Sequence, residues 1–548
     1  MYNRNKSDLT AILLVVCAAA SYAAALHVLT VITDPSQNPW WTDRWSVPLA
    51  FGVSLGVFFI ASFSRWLYFL AVNISFLIMA VTGYFISAKD IIIDKDIIAP
   101  VIESSLPESV EFISTGLIIT VAAMTVLALC VTMQYIKHYR FNLFGTSVRC
   151  ALATTIFLAI VLMVPQPLKS SLKVFLPGYL ANEGWAYMRD KKELNEKVLK
   201  RFDIAMLPSS IDTNTSENLT VILVIGESAR ADHLSLNGYS RDTNAYTKND
   251  RQLINFANVF SCDSYTRISV PCLLTRTTLR TKDTIGTETS LISLKKKHGF
   301  KVTWISMNDI YGEHNLPTSV IANAADRKIF RFGLEESYKK SNDFYLLPHF
   351  LKAVQDNPVG RQLIVVHLRG SHSRYSARYP RNFSIYRPDD CKSDTCFTNA
   401  YDNSILFTDY MLSKFIDSIR EREALLFYVS DHGESLGEVD QQGQVHRYHG
   451  RNERIEQRMV PMQVWASELF VSKYPRRFAS LKRHSKTPIS HDHFFHSVLD
   501  CTGIYSVVVD KRLSLCTPEL LIERQPSPAE VAGKQPFRLH VAQHHRSH

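Results

Sequence analysis

The sequence predicts an α/β protein in two parts, a bundle of five transmembrane helices followed by a doubly wound α/β domain. Three observations carry this. Five long apolar runs, roughly 10–33, 46–64, 66–88, 112–136 and 147–165, all precede residue 166 of the 548-residue chain, and each is about the length that crosses a bilayer. From 219 to about 520 the pattern changes to short apolar runs alternating with helical stretches, as a doubly wound domain requires. Four of those short runs stop abruptly at polar groups: 219–225 at Gly226-Glu227, 300–305 at Ser306-Met307-Asn308, 363–366 at His367 and then Gly370-Ser371-His372, and 425–429 at Ser430-Asp431-His432-Gly433. Polar groups at the carboxyl ends of buried parallel strands define one crevice of a sheet.

The apolar runs carry no Asp, Glu, Lys or Arg at their centres, which argues against an ion or substrate pathway through the bundle and for an anchor. Basic residues set its orientation. Arg4 and Lys6 before the first run, Arg65 between the second and third, and Lys137, Arg140 and Arg149 between the fourth and fifth fall on one side, expected to be cytoplasmic. The 89–111 loop on the other side is acidic. An odd number of spans then places everything after residue 166 outside the cytoplasm. No Ala-x-Ala-like site follows the first run, so it reads as an anchor and not as a removed signal peptide.

Cysteine usage leads to the same compartment independently. Cys17, Cys130 and Cys150 lie in or beside the apolar runs, whereas Cys262 and Cys272, Cys391 and Cys396, and Cys501 and Cys516 form near pairs beyond them. Proximity suggests three short-loop disulfides in an oxidising compartment. The net charge of +10 suits an anionic partner; on that side of a membrane this means glycolipid or phospholipid head groups, not nucleic acid. The expected domains are 1–165 (transmembrane), 166–218 (linker), 219–523 (catalytic) and 524–548, a His-rich tail expected to be disordered. Within the linker, 183–202 reads as an amphipathic helix, either lying on the membrane surface or packed as a connector.

Glu227, Asp431 and His432 are candidate ligands of a zinc ion, which takes carboxylate oxygens and imidazole nitrogens and keeps a position open when catalytic. Between them in sequence lies the hydroxyl-rich stretch Cys262-Asp-Ser-Tyr-Thr-Arg-Ile-Ser-Val-Pro-Cys272. A hydroxyl there, at the start of a following helix, is a candidate nucleophile activated by the metal. Composition does not choose among Ser261, Ser264, Thr266 and Ser269. His372 and His449 are further candidates for a second metal or a substrate phosphate.

Val224-Ile-Gly-Glu-Ser-Ala-Arg230, the Cys262 to Cys272 loop, Gly370-Ser-His372, Tyr401-Asp-Asn-Ser404, Ser430-Asp-His-Gly-Glu-Ser-Leu-Gly437 and His449-Gly450 resemble, in order, the motifs of the bacterial lipopolysaccharide phosphoethanolamine transferases. These are inner-membrane zinc enzymes with a periplasmic alkaline-phosphatase/sulfatase-like domain. The resemblance covers the five-span anchor and the catalytic domain to about residue 518. It implies Thr266 as nucleophile, Glu227, Thr266, Asp431 and His432 as zinc ligands, and His372 and His449 as contacts to the phosphoethanolamine group or to an additional zinc. Asn308 matches a substrate-contacting asparagine, although Gly312 stands where a lysine is expected. Ser104 and Glu108 match the lipid-contacting loop, although Pro100 replaces a usual asparagine. The phrases 369–383 and 460–465, with Cys501 and Cys516, favour the branch that modifies the Kdo sugar of the inner core.

What the resemblance implies is transfer of phosphoethanolamine from phosphatidylethanolamine to lipopolysaccharide through a threonine adduct, by a monomer with one or two zinc ions; calcium is left open as a further ion. Transfer to a lipid A phosphate is the alternative. A related phosphoglycerol transferase or phosphodiesterase is a rival, as is a non-catalytic lipid-binding protein. A sulfatase is disfavoured because its formylglycine signature requires Cys-x-Pro-x-Arg, and Cys272-Leu-Leu-Thr-Arg276 lacks the proline.

Overall fold

The computed structural model describes residues 2–32, 46–89, 95, 98, 102, 113–139, 147, 151, 154–155, 158, 175–308, 317–330, 342–389, 393–439, 445–448 and 454–521. The chain divides into two compact units, the first running to Asp190 and the second from Lys191 onward.

The first unit contains helices α1 (Tyr2–Ile32), α2 (Ser46–Ala61), α3 (Arg65–Lys89) and α4 (Thr115–His138) and most of α5 (Leu176–Leu199). Three stretches are long and apolar enough to cross a membrane, Leu9–His27, Arg65–Ile86 and Thr115–His138; Val47–Ala61 is a shorter apolar helix. The expected fifth span, 147–165, lies almost wholly outside the described residues. The helices bury Tyr22, Phe58, Tyr68, Phe76 and Tyr135 against one another, while Leu67, Leu70, Ile118 and Ile119 point outward, as lipid-facing residues of a bundle do.

In the second unit an eight-stranded sheet comprises β1 (Thr220–Gly226), β2 (Leu253–Phe260), β3 (Lys301–Ser306), β4 (Arg327–Phe330), β5 (Gln362–His367), β6 (Ala424–Ser430), β7 (Met459–Ala466) and β8 (Ile489–Ser490). Their order is β8-β2-β7-β6-β1-β5-β3-β4. The run β6-β1-β5-β3-β4 is parallel. The sheet is nevertheless mixed, because β7 runs antiparallel to both β6 and β2. Nothing in the apolar run of β7 reports its direction.

Both faces of the sheet are covered, which is why its central strands read as unbroken apolar runs. Val221, Leu223 and Ile225 enter one core with α6 (Thr266–Leu274), α7 (Leu291–Lys297) and α10 (Asp492–Cys501). Ile222 and Val224 enter the other, packed by α8 (Leu347–Asp356) and α9 (Asp394–Ile419). Register aligns the strand ends: Gly226 pairs with Ser430, Ile225 with His367, and Ser306 with His367. The four polar exits anticipated from the sequence therefore open on one edge.

The linker forms α5. Leu194 and Val198 of its last turns lie close to Gly286, where a Cβ would meet them at 2.9 and 3.2 Å, and Lys197 donates to the Asp283 carbonyl at 2.9 Å, while Trp185, Met188 and Leu199 are exposed. Disulfides join Cys262 to Cys272 and Cys501 to Cys516. Cys396 is also disulfide-bonded; Cys391, its expected partner, lies outside the described residues.

Candidate metal centre and active site

Glu227 leaves the end of β1, and Asp431 and His432 leave the end of β6, the strand beside it. All three are buried, and one ligand atom from each lies within 4.8 Å of the others. Into this cluster points Thr266, the first residue of α6. Its hydroxyl donates to Glu227 Oε2 at 3.1 Å and stands 3.2 Å from His432 Nε2. The other hydroxyls of the loop are committed or elsewhere: Ser261 Oγ donates to the Asp263 carbonyl and Ser269 Oγ to the Tyr265 carbonyl, and Ser264 Oγ is buried away from any partner. Thr266 is thus the one member of the four candidates that reaches the cluster.

The residues fit a bound zinc ion. His432 donates through Nδ1 to the Gly433 carbonyl at 2.8 Å, which fixes the ring and turns Nε2 toward Glu227 Oε1 at 3.3 Å and Asp431 Oδ2 at 3.5 Å. Such an outer hydrogen bond is what orients a ligating imidazole. Asp431 Oδ1 accepts from the Ser228 and His432 amides at 3.1 and 2.7 Å, whereas Oδ2 is buried and accepts no hydrogen bond. A buried carboxylate oxygen left bare is costly unless a cation completes it.

Electrostatics agree. Burial and the charge of Glu227 push Asp431 up to about 7. Burial opposes charge on His432, yet Asp431 and Glu227 outweigh it and raise the imidazole to about 10. Burial also acts to raise Glu227, but the hydrogen bond and charge of His432 hold it below the usual carboxylate range. Two carboxylates therefore share a proton's worth of positive charge, the position a metal would take.

The backbone is shaped to this purpose. Ser228 adopts a positive φ of 55°, a strained conformation for a residue with a side chain, and its amide is thereby aimed at Asp431. Gly370 also has positive φ, and a Cβ there would meet the Glu227 backbone oxygen at 2.8 Å; Ser371 N donates to that same oxygen at 2.9 Å. A Cβ on Gly433 would strike the Glu456 carbonyl at 2.2 Å.

His372 is close enough to Glu227 to lower its pKa. Asn308 is at the end of β3, its amide 3.1 Å from His367 Nε2 and its oxygen 3.4 Å from Arg369. His449, Ser104, Glu108, Pro100 and Gly312 lie outside the described residues. Tyr401-Asp-Asn-Ser404 proves to be a brace: Tyr401 donates to the Ser228 carbonyl at 2.7 Å and accepts from Arg230 N at 2.9 Å, and Ser404 bonds Ser371 at 2.8 Å.

Sequence reasoning missed the residues that hold the site loops. Asp343, raised to about 6 by burial, accepts from the Arg369 and Gly370 amides at 2.7 and 2.9 Å. Arg378 donates to the His372 and Ser373 carbonyls. Arg458 donates to those of Ser261 and Cys262, each at 2.8 Å. Buried His491, held down at about 3 by burial, contacts both the Thr266 loop and the end of β6. None of these belongs to a recognisable motif, and a buried cation or imidazole has no periodic signature.

Residues 219–504 match the family described as Sulfatase, and residues 51–175 match that described as Phosphoethanolamine transferase EptA/EptB. The fold is of the sulfatase class, although Cys272 is closed in a disulfide and cannot become the formylglycine of a sulfatase. The Phosphoethanolamine transferase EptA of Helicobacter pylori is 30% identical over 80% of this chain and 82% of its own. The Kdo(2)-lipid A phosphoethanolamine 7''-transferase of Escherichia coli is 26% identical over 78% of this chain and 81% of its own. The lipooligosaccharide phosphoethanolamine transferase A of Neisseria meningitidis shares the fold with a TM-score of 0.70 at 22% identity, over 92% of this chain and 97% of that one. The periplasmic domain of EptC from Escherichia coli, solved in complex with Zn, aligns with a TM-score of 0.53 at 24% identity, over 60% and 99%. The chain belongs to the phosphoethanolamine transferase family.

Proposed function

We propose that this membrane enzyme moves phosphoethanolamine from phosphatidylethanolamine to lipopolysaccharide, at the Kdo sugar of the inner core, with its catalytic unit in the periplasm. The observation that carries this is the Thr266 hydroxyl lying within hydrogen-bond reach of both Glu227 and His432, beside the bare oxygen of Asp431. Glu227, Thr266, Asp431 and His432 are assigned as the zinc set. Zinc bound there supplies positive charge that acidifies a hydroxyl and stabilises negative charge gathering on phosphoryl oxygens.

In the first step Thr266 Oγ1 bonds to phosphorus as the phosphorus–oxygen bond to diacylglycerol breaks; the threonine proton is lost and the departing glyceride oxygen gains one. In the second, an acceptor hydroxyl bonds to phosphorus, the bond to Thr266 breaks and the threonine regains its proton. His372 and His449 are assigned to the phosphoethanolamine group or to a second zinc, Asn308 to the donor head group, and Ser104 and Glu108 to the lipid. The positive end of α6, which begins at Thr266, favours the same anionic group. Two lipid substrates explain the anchor, since confinement to one surface raises their effective concentration.

Transfer to a lipid A phosphate is the second reading. Mass analysis of lipopolysaccharide from cells with and without the protein separates the two. Added phosphoethanolamine on Kdo is the expected result, addition to a lipid A phosphate selects the alternative, and an unchanged lipopolysaccharide rejects both.

A further inference from the structure

The nucleophile and the ligands it serves leave the sheet on strands that are not neighbours. Thr266 follows the end of β2, Asp431 and His432 the end of β6, and β7 runs between them. Two strand spacings amount to roughly 10 Å, so no ladder hydrogen bond fixes one loop against the other. β7 and what lies over its start can do so.

The side chain of His491 spans this gap. His491, 1% exposed, sits at the N-cap of α10, and its amide donates to the Phe260 carbonyl at 3.0 Å. Its ring accepts from Cys262 N at Nδ1, at 3.2 Å, and meets the Ser430 carbonyl through Nε2 at 3.0 Å. A carbonyl only accepts and an amide N–H only donates, so the ring is the neutral Nε2–H tautomer. Cys262 stands four residues before Thr266 and is tied by its disulfide to Cys272 within α6; Ser430 immediately precedes Asp431. The ring therefore joins the backbone of the nucleophile's loop to the backbone of the ligands' strand.

We propose that His491 is a positioning residue, setting the separation between Thr266 and the Asp431-His432 pair through these two backbone contacts. It touches neither substrate nor metal ligand side chain. The inference rests on the transfer chemistry proposed above and extends it to a residue outside the metal cluster. An imidazole suits the place because it is rigid and offers an acceptor and a donor on opposite sides of one ring. Leucine offers neither, and asparagine restores only an acceptor near Nδ1.

The test compares full-length wild type, His491→Leu and His491→Asn in detergent. Diacylglycerol release from phosphatidylethanolamine, zinc stoichiometry and the visible spectrum of the cobalt-substituted protein are measured for each. A misplacement of about 1 Å costs up to about a hundredfold, so His491→Leu is expected to lose about tenfold or more in kcat, with KM and zinc content unchanged and the cobalt spectrum altered. His491→Asn is expected to recover part of the rate and of the spectrum. Wild-type rate and spectrum in His491→Leu overturn the proposal, as does a rate loss that merely tracks lost zinc. Should His491→Leu not fold, a folded His491→Asn with both rate and spectrum of the wild type overturns it, and intermediate values sustain it. A wild type that releases no diacylglycerol rejects the transfer reading alone, because the cobalt spectra still report whether His491 sets the site.

Discussion

The two units bury polar groups in opposite ways. Within α1 to α4 and the turn after α2 the buried polar side chains among the described residues are hydroxyls, Ser54, Ser62, Ser75, Thr82 and Thr132. Several bond back onto their own helix, as Ser54 does to the Ala50 carbonyl at 2.6 Å and Thr132 to that of Ala128 at 2.8 Å. The second unit instead buries Glu227, Asp431, His432, Arg230, Asp343, Arg378, Asp402 and Arg458. A bilayer tolerates polar groups that close locally; a preorganised site needs charges that do not. The contrast fits the proposal that one unit anchors the protein and the other carries the chemistry.

The sharpest way to break that division is Thr266→Ala. Removing a covalent nucleophile should cost on the order of a thousandfold or more in transfer while leaving the thermal stability of the protein nearly unchanged. Retained transfer, measured by head-group release, would place the chemistry elsewhere. Replacing Cys262 and Cys272 together by serine opens a short loop across the nucleophile. Loop entropy puts the loss near 3 kcal/mol, read as a lower unfolding midpoint for the second unit only.

Acidity gives a smaller effect with a definite sign. In the metal-free protein His432 is raised from 6.5 to about 10, so its proton stabilises the fold fully below about pH 6.5 and that contribution fades as pH rises through about 10. Zinc must displace this proton, so between pH 7 and 9 its affinity should rise about tenfold per pH unit. A flat titration by calorimetry would contradict the assignment. The smallest change belongs to the anchor. Tyr22 accepts from Leu176 N at 2.8 Å, and Tyr22→Phe should cost about 1 kcal/mol of stability with zinc content unaltered.

Much of the candidate site was legible because its acidic and imidazole groups leave strand ends, and strands of a doubly wound sheet announce their ends. Glu227, Asp431 and His432 could be read from that alone. Thr266 could not, since four hydroxyls share its loop and only the family resemblance chose one; the fold does so by placing it first in α6. The antiparallel β7 escaped notice because burial on both faces erases directional pattern. His491, Arg458 and Asp343 escaped because each acts on backbone groups distant in sequence, as in the contact of His491 with Cys262. The amphipathic pattern of α5 fitted two environments equally, and the helix packs Leu194 and Val198 near Gly286 while exposing Trp185, Met188 and Leu199.

In the proposed reaction Glu227, Asp431, His432 and one cation make an ordinary threonine attack phosphorus. Its most direct test is mass spectrometry of the reduced tryptic peptide 252–267 after incubation of zinc-loaded protein with phosphatidylethanolamine and no acceptor. The expected result is a phosphoethanolamine adduct on Thr266 that disappears when lipopolysaccharide is added. An unmodified Thr266 in protein that still transfers the head group would contradict it.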